Sequence, residues 1–182
     1  MKINHLALKA IYLHEMDRFR RTLTQSLLSP VLTTSLYFIV FGSVIGGYVE
    51  KIDGISYGSY IVPGLLMLTL LTQSISNTSF GIFFPKFNGT IYEILAAPIS
   101  TFEVVLAFVG AGATKTLIVS IIIFITSLFF VDVQVKYPLL MIFLLILVAF
   151  TFALFGFLIG LMSSDFEQMS IIPTLFITPM VF

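Results

Sequence analysis
The chain has 182 residues, of which 58% are hydrophobic and only 10% charged. A soluble domain is roughly 45–50% apolar and about 25% charged, so this composition, with a mean hydropathy of +1.10, excludes a water-soluble domain and specifies an integral membrane protein. Nine basic and nine acidic residues leave no net charge and no reason to expect a nucleic-acid partner, while zero Cys and two His exclude disulfides, thiol chemistry and a histidine-rich metal site.

Residues 5–25 read as an amphipathic interfacial helix. Leu8, Tyr12, Met16, Phe19 and Leu23 recur at helical spacing, flanked by Arg18, Arg20 and Arg21, a pattern suited to anionic lipid headgroups. A solvated arm is the alternative. The first 25 residues hold Lys2, Lys9 and those three Arg against Glu15 and Asp17, a net of +3 that leaves −3 for the other 157. The positive-inside rule therefore predicts a cytoplasmic N-terminus.

Apolar runs long enough to cross a bilayer, about 20 residues each, cover 30–48, 60–84, 104–131 and 138–162, and a fifth starts near 168. Three open at Pro30, Pro63 and Pro138, where the missing N–H of proline costs nothing in a first turn, and Ser29 is a candidate N-cap. Alternation puts 49–59 and 132–137 outside, and 85–103 and 163–167 inside. Glu50, Asp53, Asp132 and Lys136 read as outer loop ends without a role. Gly42-x-x-x-Gly46 and Gly156-x-x-x-Gly160 are close-packing patterns.

The second run concentrates polarity at Thr72, Gln73, Ser74, Ser76, Asn77, Thr78 and Ser79. These side chains can bond between helices; Gln73, Ser76 and Asn77 are also candidates for a substrate-lining face. Lys115 interrupts the third run. The expectation is an interfacial elbow over 104–113, a true span from about Thr116 to Tyr137, and Lys115 snorkelling to the inner headgroups. The last run, Met169 to Phe182, covers roughly 21 Å at 1.5 Å per residue, less than a bilayer core. It predicts a chain that stops inside its fifth helix.

The 85–103 loop is the most structured polar stretch. Asn88-Gly89 signals a turn, Thr90-x-x-Glu93 is a capping box, and Pro98 stops the helix so begun. Ser100-x-x-Glu103 and Ser164-x-x-Glu167 are further boxes opening the third and fifth spans. A short capped helix over 90–97, with Ile91, Ile94 and Leu95 on one side, needs something to dock against, either headgroups or a protein.

No G-x-x-x-x-G-K-[ST] is present, so the chain has no P-loop of its own. No carboxylate falls deep in a predicted span, against a proton-coupled carrier, and no Ser/His/Asp set can meet. The sequence thus reads as non-enzymatic, needing no cofactor and no metal. A secondary transporter and a non-transporting scaffold or accessory subunit are the rival functions.

The order of elements, with Val62-Pro63-Gly64-Leu65-Leu66 and the stretch Asn88-Gly89-Thr90-Ile91-Tyr92-Glu93-Ile94-Leu95-Ala96-Ala97-Pro98-Ile99-Ser100, resembles the ABC-2 type transporter permease family, the membrane subunits of bacterial ABC exporters. Asn77-Thr78-Ser79-Phe80 and Phe87-Asn88-Gly89-Thr90 look most like small multidrug- or antibiotic-export permeases. The resemblance implies an all-α polytopic transmembrane bundle of four complete spans and a partial fifth, forming one domain over 1–182 that is incomplete at its C-terminus. It implies a bacterial inner-membrane location and a homodimer or heterodimer with a second permease, embedded in lipid. A separate P-loop ATPase would hydrolyse the ATP, and Thr90, Ile91, Tyr92, Glu93, Ile94, Leu95 and Pro98 would form the coupling helix seated on it. The cargo implied is an amphipathic solute, drug-like or a lipid-linked saccharide, moved outward.

Overall fold
The computed structural model describes residues 4–45, 51–52, 54–133 and 135–181. Its helices are α1 (His5–Arg21), α2 (Leu23–Tyr37, continued by a π-helix over Phe38–Ile45), α3 (Tyr57–Phe87), α4 (Ile91–Ala96), α5 (Thr101–Ser127), α6 (Pro138–Met162) and α7 (Phe166–Val181). Two-residue strands β1 (Lys51–Ile52) and β2 (Ile55–Ser56) pair as an antiparallel hairpin. Gly54 supplies the positive φ of 84° that its turn needs. Leu23–Gly42, α3, α5 and α6 are each long and apolar enough to span a bilayer, so the polytopic all-α architecture stands.

Two proline boundaries expected from the sequence fall inside helices. Pro30 lies within α2, so Ser29 is no cap, and Pro63 lies within α3, which starts at Tyr57 behind an N-cap at Ser56. A spanning helix tolerates proline because neighbouring groups re-satisfy the freed carbonyl. Only Pro138 sits in a first turn. The fifth predicted span is α7, beginning at Phe166. At its start the Ser164 N–H donates to Gln168 Oε1 at 3.0 Å, so the side chain reaching back is Gln168 rather than the expected Glu167.

Helix α3 is the centre of the bundle and packs on both α5 and α6. Leu70 and Ile82 of α3, Val104, Phe108, Val109 and Ala113 of α5, and Ala149, Ala153 and Phe157 of α6 form the core. The α3–α6 approach is set by small residues. A Cβ added to Gly156 would lie 2.5 Å from Ile75 O, and one on Gly160 would lie 2.5 Å from Ser79 O. The second close-packing pattern therefore works within the chain. At the first, Gly42 faces open space, and Gly46 lies outside the described residues.

The 104–113 elbow does not form: α5 is one continuous helix of 27 residues. Small residues at Gly110, Ala111, Gly112 and Ala113 serve packing instead, and Gly112 abuts Thr78 of α3. At about 1.5 Å per residue, α5 is about 40 Å long and the 31-residue α3 about 46 Å. Both exceed a hydrocarbon core of about 30 Å, which lets their connected ends, where α4 sits, stand clear of it.

Candidate functional site
The candidate site is the end of the bundle where α3 turns through α4 into α5. Gly89, at φ 79°, makes the turn out of α3. Thr90 does not form the expected capping box. Its backbone is already helical at φ −66°, ψ −13°, whereas an N-cap needs extended geometry to aim its oxygen at the free N–H groups. The Thr90 hydroxyl donates instead to Pro85 O at 3.4 Å. Ser100, extended at φ −79°, ψ 151°, does form its box. Glu103 Oε2 accepts from the Ser100 N–H at 2.7 Å, and Ser100 Oγ accepts from the Glu103 N–H at 3.3 Å.

The apolar side of α4 is divided. Ile91 and Ile94, joined by Ile99, pack against the core, while Leu95, expected beside them, points away and is 66% exposed. Tyr92 shares that outer face at 73% exposure, and Glu93 and Pro98 are exposed as well. A two-turn helix thus roots itself through two isoleucines and offers a tyrosine and a leucine to its surroundings.

The amphipathic helix forms as α1, and its stripe docks on α5. Leu8, Tyr12 and Met16 are half-buried, Phe19 is buried, and Leu23 is exposed at the start of α2. Leu6 and Leu13 stay exposed on the outward face with Lys9, Arg20 and Arg21. The Asn4 N–H donates to Glu103 Oε1, and Asn4 Nδ2 donates to Pro98 O at 3.3 Å. Tyr12 OH donates to Thr114 Oγ1 at 3.1 Å. The two helices therefore run in the same direction, with Asn4 at the α4 end of α5 and Arg18 level with Lys115.

Lys115 does not snorkel. Its ammonium donates to Glu15 Oε2 at 2.7 Å, and the two side chains are 3% and 2% exposed. Arg18, 32% exposed, approaches the same oxygen at 2.7 Å. Gly81 of α3 makes room, since a Cβ there would lie 3.4 Å from Glu15 Oε2. In the sequence Lys115 stands out within an apolar run, whereas Glu15 entered only the N-terminal charge count, although it falls three residues after Tyr12 on the apolar stripe. Their opposite signs were the available clue that they meet.

Gln73, Ser76 and Asn77 are half-buried. Asn77 Nδ2 donates to Gln73 Oε1 at 3.3 Å, Ser76 O accepts from the Ser79 hydroxyl at 3.2 Å, and the Ser74 hydroxyl bonds across to Ala149 O at 3.2 Å. Interhelical bonding thus involves Ser74. The other three do not line the depression of about 1680 Å³ at the far end of the bundle, bounded by Tyr37, Phe41, Tyr57, Tyr60, Asp132 and Lys136 among others.

Comparison with known proteins agrees with this architecture. Residues 7–182 match the family described as ABC-2 type transporter. The chain is similar to the "Inner membrane transport permease YadH" of Escherichia coli K12, and equally to that of Shigella flexneri. Each is 38% identical over 182 residues, covering 100% of this chain and 71% of the relative. No solved structure matches. Matched along almost its whole length, and with four helices among the described residues long and apolar enough to span a bilayer, the chain belongs to the ABC-2 type transporter family and is a multi-pass inner-membrane permease of an ABC transporter.

Proposed function
We propose that this permease is an export subunit driven through α4 by a separate P-loop ATPase. The observation that carries the reading is the division of α4: Ile91 and Ile94 are rooted in the core while Tyr92 and Leu95 stand bare. Force applied to the outer face would pass through the two isoleucines into α3 and α5. The absence of a P-loop from the 182 residues fits ATP hydrolysis on a partner chain. The net +3 of the first 25 residues favours a cytoplasmic N-terminus under the positive-inside rule, and Asn4, bonded to Pro98 O, carries that side to α4.

The bundle rocks when the ATPase closes, and an amphipathic solute leaves toward the aromatic and polar depression at the opposite end. A drug-like molecule and a lipid-linked saccharide both have that chemistry. Two permeases, alike or different, complete the transporter. A secondary carrier and a scaffold suit a transport-permease match along the whole chain less well. The test is co-purification of the full-length protein with its ATPase. Leu95→Asp should insert normally and lose the partner, since a charge buried in an apolar seat is costly. Unchanged co-purification and unchanged ATP-dependent export would leave α4 a mere connector.

A further inference from the structure
Two opposite charges taken out of water lose hydration that their mutual attraction does not fully return. Apolar residues of similar volume often serve stability as well or better. The burial of Glu15 with Lys115 is therefore weak evidence for a role in stability. What such a pair adds to an apolar stripe is register. Leu8 and Phe19 could slip a turn along α5 and still meet apolar groups, but Tyr12 would leave Thr114 Oγ1, and Glu15 Oε2 would leave the one buried ammonium among the described residues.

The position of the pair gives that register a use. At one end of α1, Asn4 is tied to Pro98 and Glu103, at the junction between α4 and α5. About three turns further along α1, Glu15 is tied to Lys115. From Asn4 to Glu15 is about 16 Å of helix and from Glu103 to Lys115 about 18 Å, at 1.5 Å per residue. The two paths match, so α1 straps the lower half of α5 from the α4 junction to its buried lysine.

We infer that Glu15, held between Lys115 and Arg18, is a positioning residue for energy coupling. It fixes α1 in register so that α4, α1 and the lower half of α5 move as one body. This inference rests on the α4 contact proposed above. Without the lock, displacement of Pro98 is absorbed by slippage of α1 along α5, and ATP is hydrolysed while the spans stay behind.

The test uses spin labels on the full-length protein with its ATPase, and the probe is Mg-ATP with vanadate. Labels at exposed Leu6 and Ile121 report the register of α1 on α5. Labels at exposed Ile121 and Phe143 report whether the far halves of α5 and α6 respond to nucleotide. In the unmodified protein the first distance should be narrow and unchanged by ATP, and the second should shift. With Glu15→Gln, at equal membrane level and equal ATPase co-purification, the first distribution should at least double in width even without ATPase. The nucleotide-dependent shift in the second should fall at least threefold. The charge swap Glu15→Lys with Lys115→Glu should restore both.

The apolar pair Glu15→Leu with Lys115→Met, which needs no buried charge to insert, should behave as Glu15→Gln. An unbroadened Leu6–Ile121 distance in Glu15→Gln or in the apolar pair overturns the lock. A broadened distance with an undiminished nucleotide shift overturns its coupling role. Failure of Leu95→Asp to release the ATPase would instead strike the α4 contact, leaving the register measurement, made without ATPase, to stand by itself.

Discussion
The Lys86 ammonium, at the last turn of α3, donates to Leu161 O at 2.7 Å and to Ser163 O at 2.8 Å. It thereby closes the C-terminal end of α6, whose final carbonyls have no partner within their own helix, and a cation there also favours the helix dipole. The bond ties the helix that enters α4 to the joint between α6 and α7.

Lys86→Ala should accordingly loosen that joint by about 1 kcal/mol, the usual net scale of an exposed hydrogen bond to a charged group after solvent screening. Limited proteolysis of the membrane-embedded protein is the measurement. Cleavage at 163–166 should speed up severalfold while cleavage at the β1–β2 hairpin stays unchanged.

The small-residue seam between α3 and α6 makes a sharper stability forecast. Gly156→Leu sets side-chain atoms against the Ile75 backbone, which has nowhere to yield. Overpacking of this kind costs about 1–3 kcal/mol or more. Gly64→Leu, at a position with nothing within 4 Å, is the control. Folded protein recovered in mild detergent should fall severalfold for Gly156→Leu and stay near the unmodified level for Gly64→Leu.

Which features the sequence could reveal follows from their range. The spans were legible because hydropathy sums over many residues, and α6 began where expected because Pro138 truly occupies a first turn. Helix α3 began earlier than expected because Pro63 looks identical whether it opens a helix or lies inside one. The boxes at Thr90 and Ser100 share one pattern. Only the backbone angles, set at Thr90 by the turn at Gly89, separate the box that forms from the one that does not. The Glu15–Lys115 pair joins residues 100 apart, beyond any local rule. The division of α4 likewise depends on where the core lies, so Leu95 could not be separated from Ile91 and Ile94 by spacing.

Glu103 links two segments, the Ser100 box and the Asn4 N–H, through its two carboxylate oxygens. Glu103→Ala removes the acceptor of both the Ser100 and the Asn4 N–H, and should speed hydrogen exchange at those two amides severalfold. Exchange at Tyr12 and beyond, held by the Thr114 contact, should change little.

Sidedness offers an independent check. Reporters inserted after Gly54 should face the periplasm and reporters at Tyr92 the cytoplasm, as the +3 N-terminal segment requires. The reverse labelling pattern would place α4 out of reach of any ATPase.

The most direct measurement is site-specific crosslinking from α4, made practical by the absence of Cys from these 182 residues. Single cysteines at Tyr92, Ile94 and Leu95, each carried by the full-length protein in membranes with its ATPase, would be treated with a short bifunctional thiol reagent. Adducts to the ATPase are expected from positions 92 and 95, strengthened or weakened by ATP, and little from position 94, whose side chain packs against the core. Adducts from 94 equal to those from 95, or none from 92 and 95 while both positions react with soluble maleimide, would contradict the α4 contact.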